Sequence, residues 1–229
     1  MREIVLDTET TGLDPASGHR LVEIAGIELR DCIPTGEKFH IYLDPQRDMP
    51  DEAFRVHGLS AEFLTGKPLF AEVVDDLLRF VGDDRLVIHN AEFDMRFLNA
   101  ELQKAGRPRL PAERAIDTLA LARRKHPGSS NSLDALCARY RIDASRRVKH
   151  SALLDAEILA DVYLELIGGR QAALILLEAA EAQPIAASKQ ALRNAPLLHL
   201  IEACELDAHR RFVEAMGKSA IWQFFFEAQ

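Results

Sequence analysis

The chain opens on a segment that leaves it little freedom. Glu3-Ile4-Val5-Leu6 is a short apolar, β-branched run that leads without a break into Asp7-Thr8-Glu9. Such a run reads as a buried strand. A strand sends successive side chains to opposite faces, so Asp7 and Glu9 share one face. Two carboxylates side by side at the end of a buried strand are costly to desolvate and repel each other unless a cation neutralises them. An arbitrary D-x-E is most simply a solvated edge. Here the pair follows a hydrophobic strand and precedes Thr10-Thr11-Gly12, which favours a metal site instead.

The segments that follow predict the sheet this strand belongs to. Leu21–Leu29 and Lys38–Leu43 read as two further strands, and with the first they suggest an antiparallel meander. Pro68–Val81 carries Leu69, Phe70, Val73, Val74, Leu77, Leu78 and Val81 at helical spacing. Leu86-Val87-Ile88 is another buried strand, followed by a helix over Glu92–Ala105 that Gly106 terminates. Asn131–Tyr140 and Leu153–Leu166 complete the helices, the last closed by Gly168-Gly169. Strands first, then alternating helices and strands, give an α/β fold with helices on the faces of a mixed sheet.

Past residue 170 the character changes. Residues 171–195 are rich in Ala and Gln, and Pro184 and Pro196 break any long helix, so this stretch reads as a flexible linker. The tail, 196–229, recovers a helical period over Leu197–Met216 and ends on Trp222, Phe224, Phe225 and Phe226. Such a segment cannot bury its apolar stripe alone, and contiguous aromatics at a chain end mark a partner surface. The expected organisation is therefore a domain over 1–170, a linker over 171–195 and a binding tail over 196–229.

Composition limits the partners. Net charge is −8, and neither the first 170 residues nor the remainder is basic. Phosphate affinity comes mainly from Lys and Arg, so any nucleic acid must be held locally, with help from metal and a partner. Arg123-Arg124-Lys125 and Arg146-Arg147 with Lys149 are the basic clusters; the second adjoins His150 and could steer a phosphate backbone, although charge runs are usually solvated surface. Cys32, Cys137 and Cys204 stand far apart, with neither a disulfide framework nor zinc spacing. An acid interrupts the N-terminus before a signal core develops, and no apolar run is long enough to cross a membrane, so a soluble, cytoplasmic protein is expected.

Two more acids invite chemistry. Asp94 follows the Leu86–Ile88 strand at a helix start, where a dipole partner is the plain alternative. Asp155 sits among Leu153, Leu154 and Ile158, with Ser151 placed to cap its helix; a buried ion pair to Arg146 or Arg147 is the alternative there. Hard oxygen donors without a Cys or His cluster point to Mg²⁺ or Mn²⁺. Two such ions about 4 Å apart can hold a scissile phosphate, activate water and stabilise the leaving oxygen.

These residues form three ordered groups: Asp7-Thr8-Glu9-Thr10-Thr11-Gly12, His89-Asn90-Ala91-Glu92-Phe93-Asp94, and His150 five residues before Asp155. The set resembles the exonuclease motifs of the DEDD superfamily, in its His-containing branch. Val56-His57-Gly58-Leu59, Asn131–Cys137 and Asp155–Ala160 extend the similarity to the proofreading epsilon subunits of bacterial DNA polymerase III. One departure is Ser151, where such proteins often carry Gly. The resemblance implies an RNase H-like sheet. Asp7, Glu9, Asp155 and Asp94 would bind two Mg²⁺ or Mn²⁺ ions, and His150 would be the general base, a role suited to the near-neutral titration of histidine. Nucleoside 5′-monophosphates would leave one at a time from a DNA 3′ end. Thr8, Thr10, Gly12, Asn90 and His57, read as a loop histidine, are the candidate substrate contacts, and Asp117 is either support for the site or a helix cap.

The same resemblance implies that the tail binds the polymerase catalytic (alpha) subunit, with Trp222 as an anchor. Gln171-Ala172-Ala173-Leu174-Ile175-Leu176 resembles Gln-led peptides that dock on sliding clamps, with Gln171 and Leu174 as contacts. It departs from them in ending on Leu176 where an aromatic residue is common, and a simple helix extension is the competing reading. Other readings of the whole chain are an exoribonuclease of the same superfamily, which would typically lack so long a C-terminal extension, and a non-catalytic scaffold, which would not need all four acids and the histidine.

Overall fold

The computed structural model describes residues 1–145, 149–168 and 202–217. The chain divides into two compact units, Met1–Glu181 and Ala182–Gln229. In the second the described element is one helix, α8 (Ala203–Ala215), within the segment whose spacing predicts a helix. Linker and most of the tail, with Gln171, Leu174 and Trp222, lie outside the described residues, as do Arg146 and Arg147.

The first unit is built on a five-stranded sheet in the order β3-β2-β1-β4-β5. β1 (Arg2–Thr10), β2 (Leu21–Arg30) and β3 (Ile33–Tyr42) form the expected antiparallel meander. β4 (Arg85–Ile88) and β5 (Ala115–Asp117) add on parallel to β1, so the sheet is mixed. β1 is thus central and paired on both edges, which explains its apolar composition. The helices are α1 (Asp51–His57), α2 (Ala61–Leu64), α3 (Phe70–Val81), α4 (Ala91–Lys104), α5 (Thr118–Lys125), α6 (Leu133–Tyr140) and α7 (Ala152–Leu166).

Alternation along β1 sorts the core into two layers. Ile4 and Leu6 face a cluster with Phe70, Val74 and Leu77 of α3 and Phe97 and Leu98 of α4. Val5 faces the opposite cluster, with Leu136 of α6 and Ala156, Leu159 and Val162 of α7. Phe97 is fully buried, and truncating it to Ala would cost about 3–5 kcal/mol. The same alternation puts Asp7 and Glu9 on the α7 side and Thr8 on the α4 side.

Several elements differ from expectation for physical reasons. β3 begins at Ile33, five residues earlier than the pattern indicates, because Asp31 and Cys32 make the hairpin turn with φ of 49° and 67°. That turn lacks the Asn-Gly or Asp-Gly signature that would announce it. β5 has three residues, too few for a periodic signal, and the sequence marks α5 only through Asp117 as a possible helix cap. His57 is not a loop residue: it is the last residue of α1, closed by Gly58 at φ 74°. The helix placed over Asn131–Tyr140 starts at Leu133, with the Ser132 hydroxyl accepting the Ala135 N–H.

Candidate active site

The site lies where the strands β1, β4 and β5 end and the helices that follow them begin, the usual location for ligands in sheets with parallel strands. A cleft of about 740 Å³ there is lined by Asp7, Glu9, Asp94, His150 and Asp155 together with Thr8, His89 and Asn90. The five predicted catalytic side chains are therefore brought together from both faces of the sheet.

Each is delivered by a definite device. Asp7 and Glu9 stand on the last turn-out of β1, and the pairing with β2 shifts register between Glu9 and Thr10, an irregularity that ends the strand at the cleft. Asp94 arrives from the opposite face, in the first turn of α4, and the Thr8 hydroxyl donates to its Oδ1 at 2.6 Å. Thr8, a candidate substrate contact, is buried and spends its hydroxyl on this hydrogen bond. The sharp passage from β4 into α4 is made by Asn90, in a left-handed conformation (φ 66°, ψ 53°) that Asn tolerates better than most residues. The Asn90 N–H donates to Asp117 Oδ1 at 3.1 Å, and the same oxygen accepts the Leu119 N–H at 2.9 Å. Asp117 is thus both the N-cap of α5 and a brace for the β4–α4 turn.

Asp155 is buried in the first turn of α7, and its Oδ2 lies 3.2 Å from His150 Nδ1. Donor atoms of Glu9, His150 and Asp155 all fall within 4.8 Å of one another. The expected Ser151 cap is absent: its side chain makes no cap hydrogen bond. Glu23 takes that place. This carboxylate, in β2 opposite Glu9 and 1% exposed, accepts from Ser151 Oγ and from the Ala152 N–H, both at 3.1 Å, and lies 2.8 Å from His40 Nε2. Sequence reasoning missed Glu23, although an acid inside the apolar run Leu21–Leu29 was its signal.

The electrostatics follow from this crowding. Burial first, then the charges of Asp94, Glu9, Asp155 and Glu23, hold the Asp7 carboxyl well above the ordinary aspartate range, even though Asp7 keeps some exposure to the cleft. Burial likewise pushes Asp94 up to about 7, against the lowering effect of the Thr8 hydroxyl. Carboxylates so placed favour a proton or a cation, and an all-oxygen cluster beside one imidazole suits a hard divalent ion.

A second groove of about 560 Å³ shares Thr8, Glu9 and Phe93 with the cleft and is lined further by Thr10, Gly12 and His57. Gly12 is there because a Cβ would meet the His19 ring at 2.3 Å, and His19 Nδ1 lies 3.2 Å from the Thr11 hydroxyl. The Thr10 hydroxyl donates to the Gly12 carbonyl at 2.6 Å. His57 is buried; its Nδ1 accepts the Leu59 N–H at 3.0 Å while Nε2 has no hydrogen-bond partner among the described residues. Burial is the largest influence on its pKa and lowers it. Of the basic clusters, Arg123 lines the catalytic cleft, whereas Lys125 Nζ donates to the Glu165 and Leu166 carbonyls at 2.7 and 3.0 Å, and Lys149 sits 5.1 Å over the Phe54 ring. Among the described residues, no helix is long and apolar enough to cross a membrane.

This arrangement has relatives. The exonuclease family model matches residues 4–163. The DNA polymerase III subunit epsilon of Rickettsia felis is 47% identical over 226 residues, covering 96% of this chain and 99% of that protein. The epsilon subunit of Escherichia coli K12 is 43% identical over 236 residues, covering 97% of each. Among solved structures, exonuclease X in complex with 5′-overhanging duplex DNA superposes with a TM-score of 0.59 at 27% identity, over 73% of this chain and 92% of that one. The sheet with its flanking helices is the RNase H-like fold of these enzymes. A chain that matches the family model through its whole catalytic sheet, and the epsilon subunits along nearly its full length, belongs to the exonuclease family and, within it, to the DNA polymerase III epsilon subunits.

Proposed function

We propose that this chain is a 3′–5′ exonuclease that removes mispaired nucleotides from DNA 3′ ends as 5′-monophosphates, proofreading for a replicative DNA polymerase in the cytoplasm. The observation that carries the reading is the convergence of Asp7, Glu9, Asp94, Asp155 and His150 on one cleft. Asp7, Glu9 and Asp155 would hold two divalent ions, Mg²⁺ or Mn²⁺, with Asp94 contributing directly or through water. The chemistry such ions would supply when bound is neutralisation of the scissile phosphate and activation of water. His150 takes the proton of the attacking water, and Asp155, 3.2 Å away, orients the ring and balances its charge. Thr8 holds Asp94; Thr10, Gly12, His57 and Asn90 border the path of the terminal nucleotide, and Arg123 offers a cation to its phosphates.

Residues 1–170 form the exonuclease domain, 171–195 a linker, and 196–229 the segment that binds the polymerase alpha subunit through Trp222 and its neighbours. Gln171–Leu176 is a weak ligand for the sliding clamp. The test is a primer carrying a mispaired 3′ end. Wild-type protein with Mg²⁺ should release monophosphates, and chelation, Asp7→Ala, Glu9→Ala or Asp155→Ala should each stop it. Activity within tenfold of wild type for any of these variants would remove that residue from the site.

A further inference from the structure

The base of the proposed reaction sits on a short strap. His150 precedes α7 by two residues, so its ring position depends on where residues 149–152 are fastened. On one side the strap is tied to α1: the His150 N–H donates to the Val56 carbonyl at 3.3 Å, and the Lys149 side chain packs against Gly58, where a Cβ would meet it at 2.7 Å. On the other side it is tied to the sheet by Glu23, whose two oxygens receive the Ser151 hydroxyl and the Ala152 N–H.

Glu23 is an unexpected residue at that point. It is 1% exposed and stands directly across from Glu9 in the β1–β2 pair, where like charges oppose each other. Its carboxylate receives the Ala152 N–H, the first of α7 and at the positive end of the helix, together with the Ser151 hydroxyl and the His40 ring nitrogen. A helix of fifteen residues anchored this way cannot slide along the sheet without breaking both hydrogen bonds to a buried carboxylate. We infer that Glu23 is a positioning residue for the reaction: it latches the start of α7 to β2 and thereby seats the His150 ring against Asp155. Glu23 itself touches neither the attacking water nor the reacting phosphate. This inference rests on the reading of His150 as the base.

A misplacement near 1 Å costs on the order of 100-fold in rate, so Glu23→Ala should lower kcat by roughly 10- to 100-fold with KM for the DNA end within about twofold of wild type. Glu23→Gln should recover most of the rate. Its oxygen can face the Ala152 N–H, while its amide donates to the Ser151 hydroxyl and to the His40 ring, groups that can reverse their hydrogen-bonding roles. A purely structural role would penalise every background alike. A positioning role predicts coupling instead: in a His150→Ala enzyme, adding Glu23→Ala should change kcat by less than about twofold. Rates are measured per folded molecule, from circular dichroism at the assay temperature. If Glu23→Ala does not fold, Ser151→Ala, which removes one of the two ties, enters the same cycle. An equal penalty in both backgrounds, a kcat within twofold of wild type, or a Gln variant as slow as Ala would each overturn the inference. A wild-type enzyme without exonuclease activity, or one unaffected by His150→Ala, would instead defeat the reading of the site itself.

Discussion

Asp94→Asn should stabilise the metal-free protein while destroying its site. The Asp94 carboxyl is buried and pushed up to about 7 from an ordinary value of 3.8. Folded, it therefore keeps its proton over a pH range in which the unfolded chain has lost it, so raising the pH favours unfolding. Each pH unit between those two values removes about 1.4 kcal/mol of stability, which makes an ionised Asp94 a burden of roughly 4 kcal/mol above pH 7. Asparagine carries no charge, and its carbonyl can still accept the Thr8 hydroxyl, now 2.6 Å from Oδ1. Asp7 beside it shares the electrostatic load, so roughly half the ceiling, about 2 kcal/mol, is a fair expectation, equivalent to about 4–8 °C in Tm for a chain of this size. Thermal melts by circular dichroism in a chelator measure it. The gain should be present at pH 8, fall to well under half at pH 5 and vanish toward pH 4. Adding Mg²⁺ should reverse the order, because the ion stabilises the wild-type carboxylate cluster and finds a weaker site in the variant. An Asp94→Asn protein that melts at or below wild type at pH 8 without metal, or a gain independent of pH, would refute the electrostatic account.

Three further outcomes follow from the same site and from the chain beyond it. His150→Ala should lose most of the rate while Mn²⁺ affinity by calorimetry stays near wild type; a fall in affinity as large as that of Asp155→Ala would make His150 a ligand instead, a role its 4.8 Å grouping with Glu9 and Asp155 permits. A chain ending at Gly169 should fold, retain metal-dependent hydrolysis of short single strands and lose binding to the polymerase, and Trp222→Ala should weaken that complex without slowing hydrolysis; an insoluble or inactive truncation would assign the tail to the catalytic domain. Replacing Gln171 and Leu174 with Ala should weaken binding to the sliding clamp in a titration, and unchanged binding would dismiss the clamp peptide.

What the sequence determined by itself was whatever is encoded over a short span. The β1 run and its D-x-E, the helical period of α3, and the order of Asp7, Glu9, Asp94, His150 and Asp155 need no knowledge of distant contacts, because a strand's period of two and the chemistry of carboxylates are local properties. The β2–β3 hairpin turn carried no glycine to mark it, β5 was too short to show a period, and the α1 segment ending in His57 passed for a loop. Tertiary structure alone decided how the acids are held. Thr8 reads as a substrate contact until α4 lays Asp94 against its hydroxyl, 86 residues further along. Ser151 looks like a helix cap until β2 folds alongside α7 and Glu23, 129 residues before Ala152, takes its N–H. Both arrangements depend on which groups lose water together, and that is a property of two surfaces meeting, which no stretch of a single strand or helix contains.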